Sequence, residues 1–196
     1  MKEKWDERYS NEQYIYGVEP NVFFKEFLLK QTKKGKNLLP AEGEGRNAVF
    51  AAQQGFDVYA FDYSVEAKKK AEKLANLNHV TINYDVCNIE DFQSAEKFDY
   101  IGLFFVHLPE PFRTSFFRNL TNFLAKDGII FGEVFSKEQI NNQTGGPPSL
   151  SLLYSKAEIE EIFVNKPFDA LLQIQTTLNE GLLHQGIASV IRFILV

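Results

Sequence analysis

The sequence predicts an α/β fold: a mostly parallel sheet with helices on both faces, closed by a C-terminal antiparallel hairpin. Three observations carry this expectation. Apolar runs and helical periodicities alternate from residue 37 to residue 135. The runs 98–105 and 129–135 are almost continuously apolar, as strands buried on both faces are. The last two strand-like runs, 170–177 and 186–196, are joined by a short segment, 178–185, without a helical pattern, so they pair antiparallel.

The elements follow in order. Asn21 can cap a helix that buries Phe23, Phe24, Phe27 and Leu28. Lys33-Lys34-Gly35-Lys36 reads as a solvated turn. Residues 37–42 form a strand that feeds Gly43-Glu44-Gly45, and 47–54 form a helix stopped by Gly55. The second strand, 57–61, ends at Asp62, and Ser64 caps a helix with Ala67, Ala71, Leu74 and Ala75 on one face. Residues 80–84 and 98–105 are the third and fourth strands. Phe112, Phe116, Leu120 and Leu124 recur every four residues in a helix ended by Asp127-Gly128, ahead of a fifth strand at 129–135. A loop over 136–154 contains Thr144-Gly145-Gly146-Pro147-Pro148. Ser155 and Glu158 then form a capping box before Ile159, Ile162 and Phe163.

At 196 residues the chain suits one domain, and no linker divides it. Nineteen Phe against one Trp and one Met point to a core built largely from Phe. The net charge of −5 gives no general attraction for phosphate backbones or anionic lipid, so neither nucleic acid nor membrane is an expected partner. One cysteine, Cys87, excludes an internal disulfide and a cysteine-built zinc site. The first eight residues are charged with no apolar run behind them, so no signal peptide or membrane span is expected and the cytoplasm is the expected address.

The strongest chemical signal is Glu42-Gly43-Glu44-Gly45-Arg46-Asn47-Ala48, set between a strand and a helix with Asp62 at the tip of the next strand. Glycines let backbone approach a ligand, and a carboxylate ending strand two suits ribose hydroxyls. The spacing also fits a dinucleotide fingerprint, so an NAD(P)-dependent oxidoreductase stands as the alternative reading. Charge separates the two ligands. A pyrophosphate is opposed by Glu42 and Glu44, whereas S-adenosylmethionine carries an ammonium and a sulfonium that tolerate them. Its carboxylate can be met by Arg46 or by free amides at the helix start. Glu44 reads either as part of this site or as a solvent-facing side chain.

The motifs Trp5-Asp6-Glu7-Arg8-Tyr9, Tyr14-x-Tyr16-Gly17-x-x-Pro20-Asn21 and Ala41 to Ala48 together resemble class I S-adenosylmethionine-dependent methyltransferases. The closest branch is the bacterial tellurite-resistance-like one related to thiopurine methyltransferases. Phe98-Asp99-Tyr100, Val106-His107-Leu108-Pro109, Thr144-Gly145-Gly146-Pro147 and Leu178-Asn179-Glu180-Gly181-x-x-His184-Gln185-Gly186 extend the resemblance over nearly the whole chain. It implies a single-domain, doubly wound (Rossmann-like) seven-stranded sheet over 1–196, with 1–30 as an N-terminal cover segment. It also implies cofactor binding at the carboxyl ends of strands one, two and four. By the same resemblance Gly43 and Gly45 face the methionine part, Asp62 the ribose and Tyr63 the adenine region. Asn88 and Ile89 take the place of an acidic side chain and a backbone amide for adenine. Phe105 lines the sulfonium end, and Tyr16-Gly17 lie near the carboxylate or over the acceptor. Asn88, and Leu39 with Ala41 where the superfamily often has Asp and Gly, depart from the pattern.

His107 follows strand four and His184 falls in the last turn, and each reads as either catalytic or structural. His79 reads as a surface residue at the start of a strand. The three are too scattered to imply a metal. Tyr16, His107 and His184 are the candidate acceptor-side residues. A pocket with only weak bases suits a small soft acceptor, a sulfur, selenium or tellurium nucleophile, because such groups need little help to react. A binding protein that holds the cofactor without turnover is a further alternative. The chain is expected to be a monomer or a weak dimer.

Overall fold

A computed structural model describes residues 2–196, with side chains from Trp5 onward; Met1, the first residue of the expected cover segment, lies outside the described residues. Two short helices come first, α1 (Lys2–Tyr9) and α2 (Val22–Leu29). The alternating part follows as β1 (Lys36–Pro40), α3 (Arg46–Gln53), β2 (Asp57–Asp62), α4 (Val65–Leu77), β3 (Asn83–Val86) and β4 (Phe98–Phe104). Then come α5 (Phe112–Leu120), β5 (Leu124–Phe135), α6 (Lys156–Ile162), β6 (Phe168–Glu180) and β7 (His184–Leu195). The seven strands lie in the order β3-β2-β1-β4-β5-β7-β6. β1 to β5 are mutually parallel, and β7 runs antiparallel to both β5 and β6. The mostly parallel α/β sheet with its closing hairpin is therefore the observed fold.

Both faces of the sheet are covered. Phe24, Phe27 and Leu28 of α2, Ala48 and Ala51 of α3 and Ala71 of α4 bury one face together with Phe104 and Phe131. Phe116, Phe117 and Leu120 of α5 and Ile159 and Ile162 of α6 bury the other against Ile101, Ile130 and Phe193. Phe does supply much of this core: Phe27 stacks on Phe131 with ring centroids 3.9 Å apart, and Phe24 meets Phe104 edge-on at 5.2 Å. The expected caps form. Asn21 Oδ1 accepts from the Phe24 amide, Ser64 Oγ from the Ala67 amide, and Ser155 and Glu158 close the capping box.

Several boundaries differ from the sequence reading. The third strand covers 83–86, not 80–84, because the amides of Asn78, His79 and Val80 fold back onto carbonyls of α4. His79 therefore sits in a left-handed turn (φ +55°), exposed, and does not begin the strand. The period-four run past Phe112 stops at Leu120; Leu124 continues the spacing but opens β5, opposite Phe98. Asp127 (φ +62°) then shifts the register of that pair and does not end a helix. The final hairpin is also longer than read, since Leu178 to Glu180 and His184 belong to its strands and only 181–183 turn.

Candidate active site

The chain leaves β1 for β2 on one side and reaches β4 on the other, so a crevice opens where the strand order reverses. Trp5, Tyr9, Tyr16 and Gly17 from the N-terminal segment close over it. Its floor includes Glu42, Gly43, Asp62, Phe105, His107 and His184. Ala41 (φ +51°) and Phe105 (φ +52°), at the ends of β1 and β4, both take the left-handed conformation that side chains disfavour. Those two turns aim the β1 and β4 chain ends at the crevice.

The carboxylates divide the work. Asp62 Oδ1 accepts from the Ser64 amide at 2.9 Å and Oδ2 from the Gly43 amide at 3.2 Å. Burial nevertheless pushes its carboxyl up to about 6. Glu42 Oε1 accepts from the Ala48 amide at 2.8 Å and so occupies the start of α3; burial pushes it up to about 7. Glu44 does not point to solvent. Its Oε2 accepts from the Ile15 and Tyr16 amides at 2.8 and 3.3 Å, and Lys70 Nζ lies 2.6 Å from Oε1. Glu44 thus straps the cover segment to the loop. Tyr14 donates to the Lys70 carbonyl at 3.0 Å, and the Lys70 ammonium donates to the carbonyls of Asn11 and Gln13, completing the strap.

Arg46 is also engaged by the fold: its Nη2 lies 2.8 Å from Glu180 Oε2 and its Nη1 3.3 Å from the Tyr16 carbonyl. Asn47 Oδ1 accepts from the Asn21 amide at 2.9 Å. Gly43 and Gly45 both have positive φ but face different ways. A Cβ on Gly43 would lie 2.8 Å from the Tyr9 hydroxyl, whereas one on Gly45 would lie 2.5 Å from the Ala71 methyl. Gly43 therefore serves the crevice, and Gly45 serves the packing of α3 on α4.

On the acceptor side, His184 lies against Tyr16 and Phe105 with centroids 4.6 and 4.7 Å apart, and against Phe135 at 5.3 Å. His107 stacks near Phe135 at 5.8 Å, and its Nδ1 is buried without a hydrogen bond. Burial, and then the neighbouring His184, push the His107 imidazole down to about 3, so it stays neutral. Arg8 donates to the Tyr16 hydroxyl at 2.8 Å.

Tyr16, His107 and His184 therefore meet in one crevice with Gly17, Glu42, Gly43, Glu44, Arg46, Asn47, Asp62, Tyr63, Ile89 and Phe105. Gly45 and Asn88 are not in its lining; Asn88 is exposed and donates to Asp91 at 2.9 Å. Trp5, stacked on Tyr9 with ring centroids 5.4 Å apart, lines the crevice as well. Glu180 was not singled out, because only the three-residue turn shows that it faces His184 across the hairpin.

A family profile described as methyltransferase domain matches residues 40–128. Residues 40–128 are therefore similar to a methyltransferase domain. That span begins at the last residue of β1 and holds the whole glycine loop, β2 to β4 and α3 to α5. The fold is that of the class I methyltransferases. Among solved structures, the chain is similar to a protein studied in the conversion of a disulfide bond into a thioacetal group during echinomycin biosynthesis. That match has a TM-score of 0.81 at 13% identity and covers 100% of this chain and 92% of that one. It is similar to TehB from Haemophilus influenzae at TM-score 0.72 and 14% identity, covering 99% of this chain and 66% of that one. The N-methyltransferase NodS from Bradyrhizobium japonicum WM9, in complex with S-adenosyl-L-homocysteine, is similar at TM-score 0.70 and 12% identity, with 99% and 96% covered. No curated protein sequence gives a significant match.

Proposed function

We propose that the chain is an S-adenosylmethionine-dependent methyltransferase acting on a small acceptor, a soft sulfur, selenium or tellurium nucleophile of the kind the tellurite-resistance-like branch suggests. One observation carries the choice of cofactor. Glu42 already holds the Ala48 amide at the start of α3, where a pyrophosphate would need a bare helix N-terminus, while Asp62 stands at the tip of β2. A dinucleotide is opposed there; a phosphate-free nucleoside with a cationic tail is not. Asp62 would hold the ribose, Gly43 and the neighbouring backbone the methionine part, Ile89 and Tyr63 the adenine region, and Phe105 the sulfonium end. Asn88 donates to Asp91 through Nδ2, so Oδ1 is the atom with which it would accept from the adenine amine.

When bound, the cofactor supplies an electrophilic methyl group. The protein's part is alignment and exclusion of water, for which the cover segment and the aromatic walls around His184 are suited. Among the described residues no helix is long and apolar enough to cross a membrane. A cytoplasmic address is the reading that a single free cysteine supports.

The test is calorimetry with S-adenosylhomocysteine and with NAD, followed by a methyl-transfer assay over a panel of acceptors. S-adenosylhomocysteine is expected to bind at micromolar levels and NAD not at all. Tight NAD binding without S-adenosylhomocysteine heat would sink the proposal. Binding with no turnover on any acceptor would leave a binding protein in its place.

A further inference from the structure

A buried polar chain joins the glycine loop to the acceptor side. Glu180, at the end of β6, receives Arg46 on Oε2 at 2.8 Å and Asn21 on Oε1 at 3.0 Å. Asn21 also donates to Glu133 at 2.7 Å, and Glu133 pairs with Arg192 at 2.5 Å. On the same Oε2 of Glu180 lies Nδ1 of His184, at 3.2 Å. Both side chains are 6% exposed, so this contact is shielded from water.

The chemistry of that contact fixes a proton. Burial alone would raise the Glu180 carboxyl, but the hydrogen bonds from His184 and Arg46 outweigh it and hold it at about 2. An ionised carboxylate only accepts, so Nδ1 of His184 must carry the hydrogen. Burial, together with Arg46 and Arg8, pushes His184 below its ordinary value even though Glu180 pulls the other way, and His107 and Tyr16 beside it add no positive charge near neutral pH. The ring is therefore neutral, and Nε2 is its bare nitrogen. The ring is also held from the side. A Cβ on Gly145 (φ +117°) would lie 2.6 Å from Cδ2 and 3.4 Å from Nε2, so the Thr144-Gly145 turn closes on that edge only because it is glycine.

We infer that Glu180 is a positioning residue that fixes His184 in the Nδ1–H tautomer, so that Nε2 takes the acceptor's proton during methyl transfer. The inference rests on the methyltransferase reading for its chemistry, but the tautomer itself does not. In the proton step the acceptor's bond to hydrogen breaks, its electron pair stays on the acceptor, and the proton passes to Nε2. Glu180 then faces an imidazolium that it stabilises.

Three measurements on the full chain test this. Long-range proton–nitrogen spectra of the 15N-labelled protein with S-adenosylhomocysteine at pH 7 are expected to show His184 with Nδ1 protonated and Nε2 bare. Glu180→Gln should give a mixture of tautomers, and Glu180→Asp should restore the wild-type signature. A wild-type ring protonated at Nε2, or a signature unmoved by Glu180→Gln, overturns the inference. With 2-mercaptoethanol as acceptor at pH 7, where the thiol is still protonated and must lose its proton to attack, Glu180→Gln should lower kcat at least tenfold while KM stays within threefold, and the acid limb of the pH profile should move. Unchanged kcat removes the proton-accepting role. Absence of S-adenosylhomocysteine heat in wild type, beside the expected spectra, would instead overturn the underlying function and leave the tautomer standing.

Discussion

Single residues at the strand ends set what the crevice can bind. Asp62 is nearly dry and shares its oxygens with two amides, so a ribose would have to compete for them. Charge-assisted hydrogen bonds of this kind are worth roughly 1.5–3 kcal/mol each. Asp62→Ala is expected to weaken S-adenosylhomocysteine binding tenfold or more by calorimetry, and unchanged affinity would place the ribose elsewhere. Ala41 explains itself in the same terms. The related pattern often has glycine there, and the observed φ of +51° is the conformation a glycine adopts without cost. Ala41→Gly should therefore stabilise the protein by up to about 1 kcal/mol, offset in part by the freer unfolded chain. A loss above about 1 kcal/mol on urea unfolding would mean that the methyl packs better than its backbone is strained. Neither φ was legible in the sequence, since alanine and phenylalanine carry no sign of a left-handed turn.

At the scale of elements, much was legible because the signals were local. Caps at Asn21, Ser64 and Ser155 and the apolar faces of α2, α4 and α6 are written in neighbouring residues, and they formed as read except that Phe23 of α2 is only half-buried. What failed was whatever depended on a partner far along the chain. Leu124 fits a helix by spacing but is claimed by the ladder beside Phe98, and Glu44 reads equally as a site residue or a solvent-facing one until Lys70 and the backbone of Ile15 arrive. Gly45 belongs to the same lesson: it reads as a ligand glycine and is used to bring α3 onto α4. An alanine there would keep a positive φ of +88° and press its methyl to 2.5 Å from that of Ala71 and 2.7 Å from its Cα. Left-handed strain of about 1–2 kcal/mol and overpacking of about 1–3 kcal/mol together predict a loss of about 2–5 kcal/mol for Gly45→Ala. Chemical unfolding checks it; a loss below 1 kcal/mol would show that the two helices separate freely.

Across the whole molecule, the mostly parallel sheet with its antiparallel hairpin was legible because alternation of strand and helix leaves few arrangements, whereas the electrostatic state of the crevice was not. Sequence counts Glu42 and Glu44 as two negative charges. Folding neutralises Glu44 with Lys70 and lifts Glu42 from 4.5 to about 7 by burial. This makes stability depend on pH in a defined sense. A carboxyl whose folded value is raised contributes stability that is fully present below about 4.5 and is lost as pH rises through about 7. Asp62, raised from 3.8 to about 6, acts in the same direction over a slightly lower window. His107 opposes them, because an imidazole lowered from 6.5 to about 3 costs stability as pH falls below 6.5. Comparing Glu42→Gln with wild type cancels the opposing groups, and the amide oxygen can still accept from the Ala48 amide. The variant should gain on wild type steadily from pH 5 to pH 8 in the absence of cofactor, by about 1–3 kcal/mol in total. Urea unfolding of both proteins at the two pH values measures the gap. A gap that stays constant would mean that Glu42 is ionised in the folded protein across the whole range, its charge met by the amides at the start of α3.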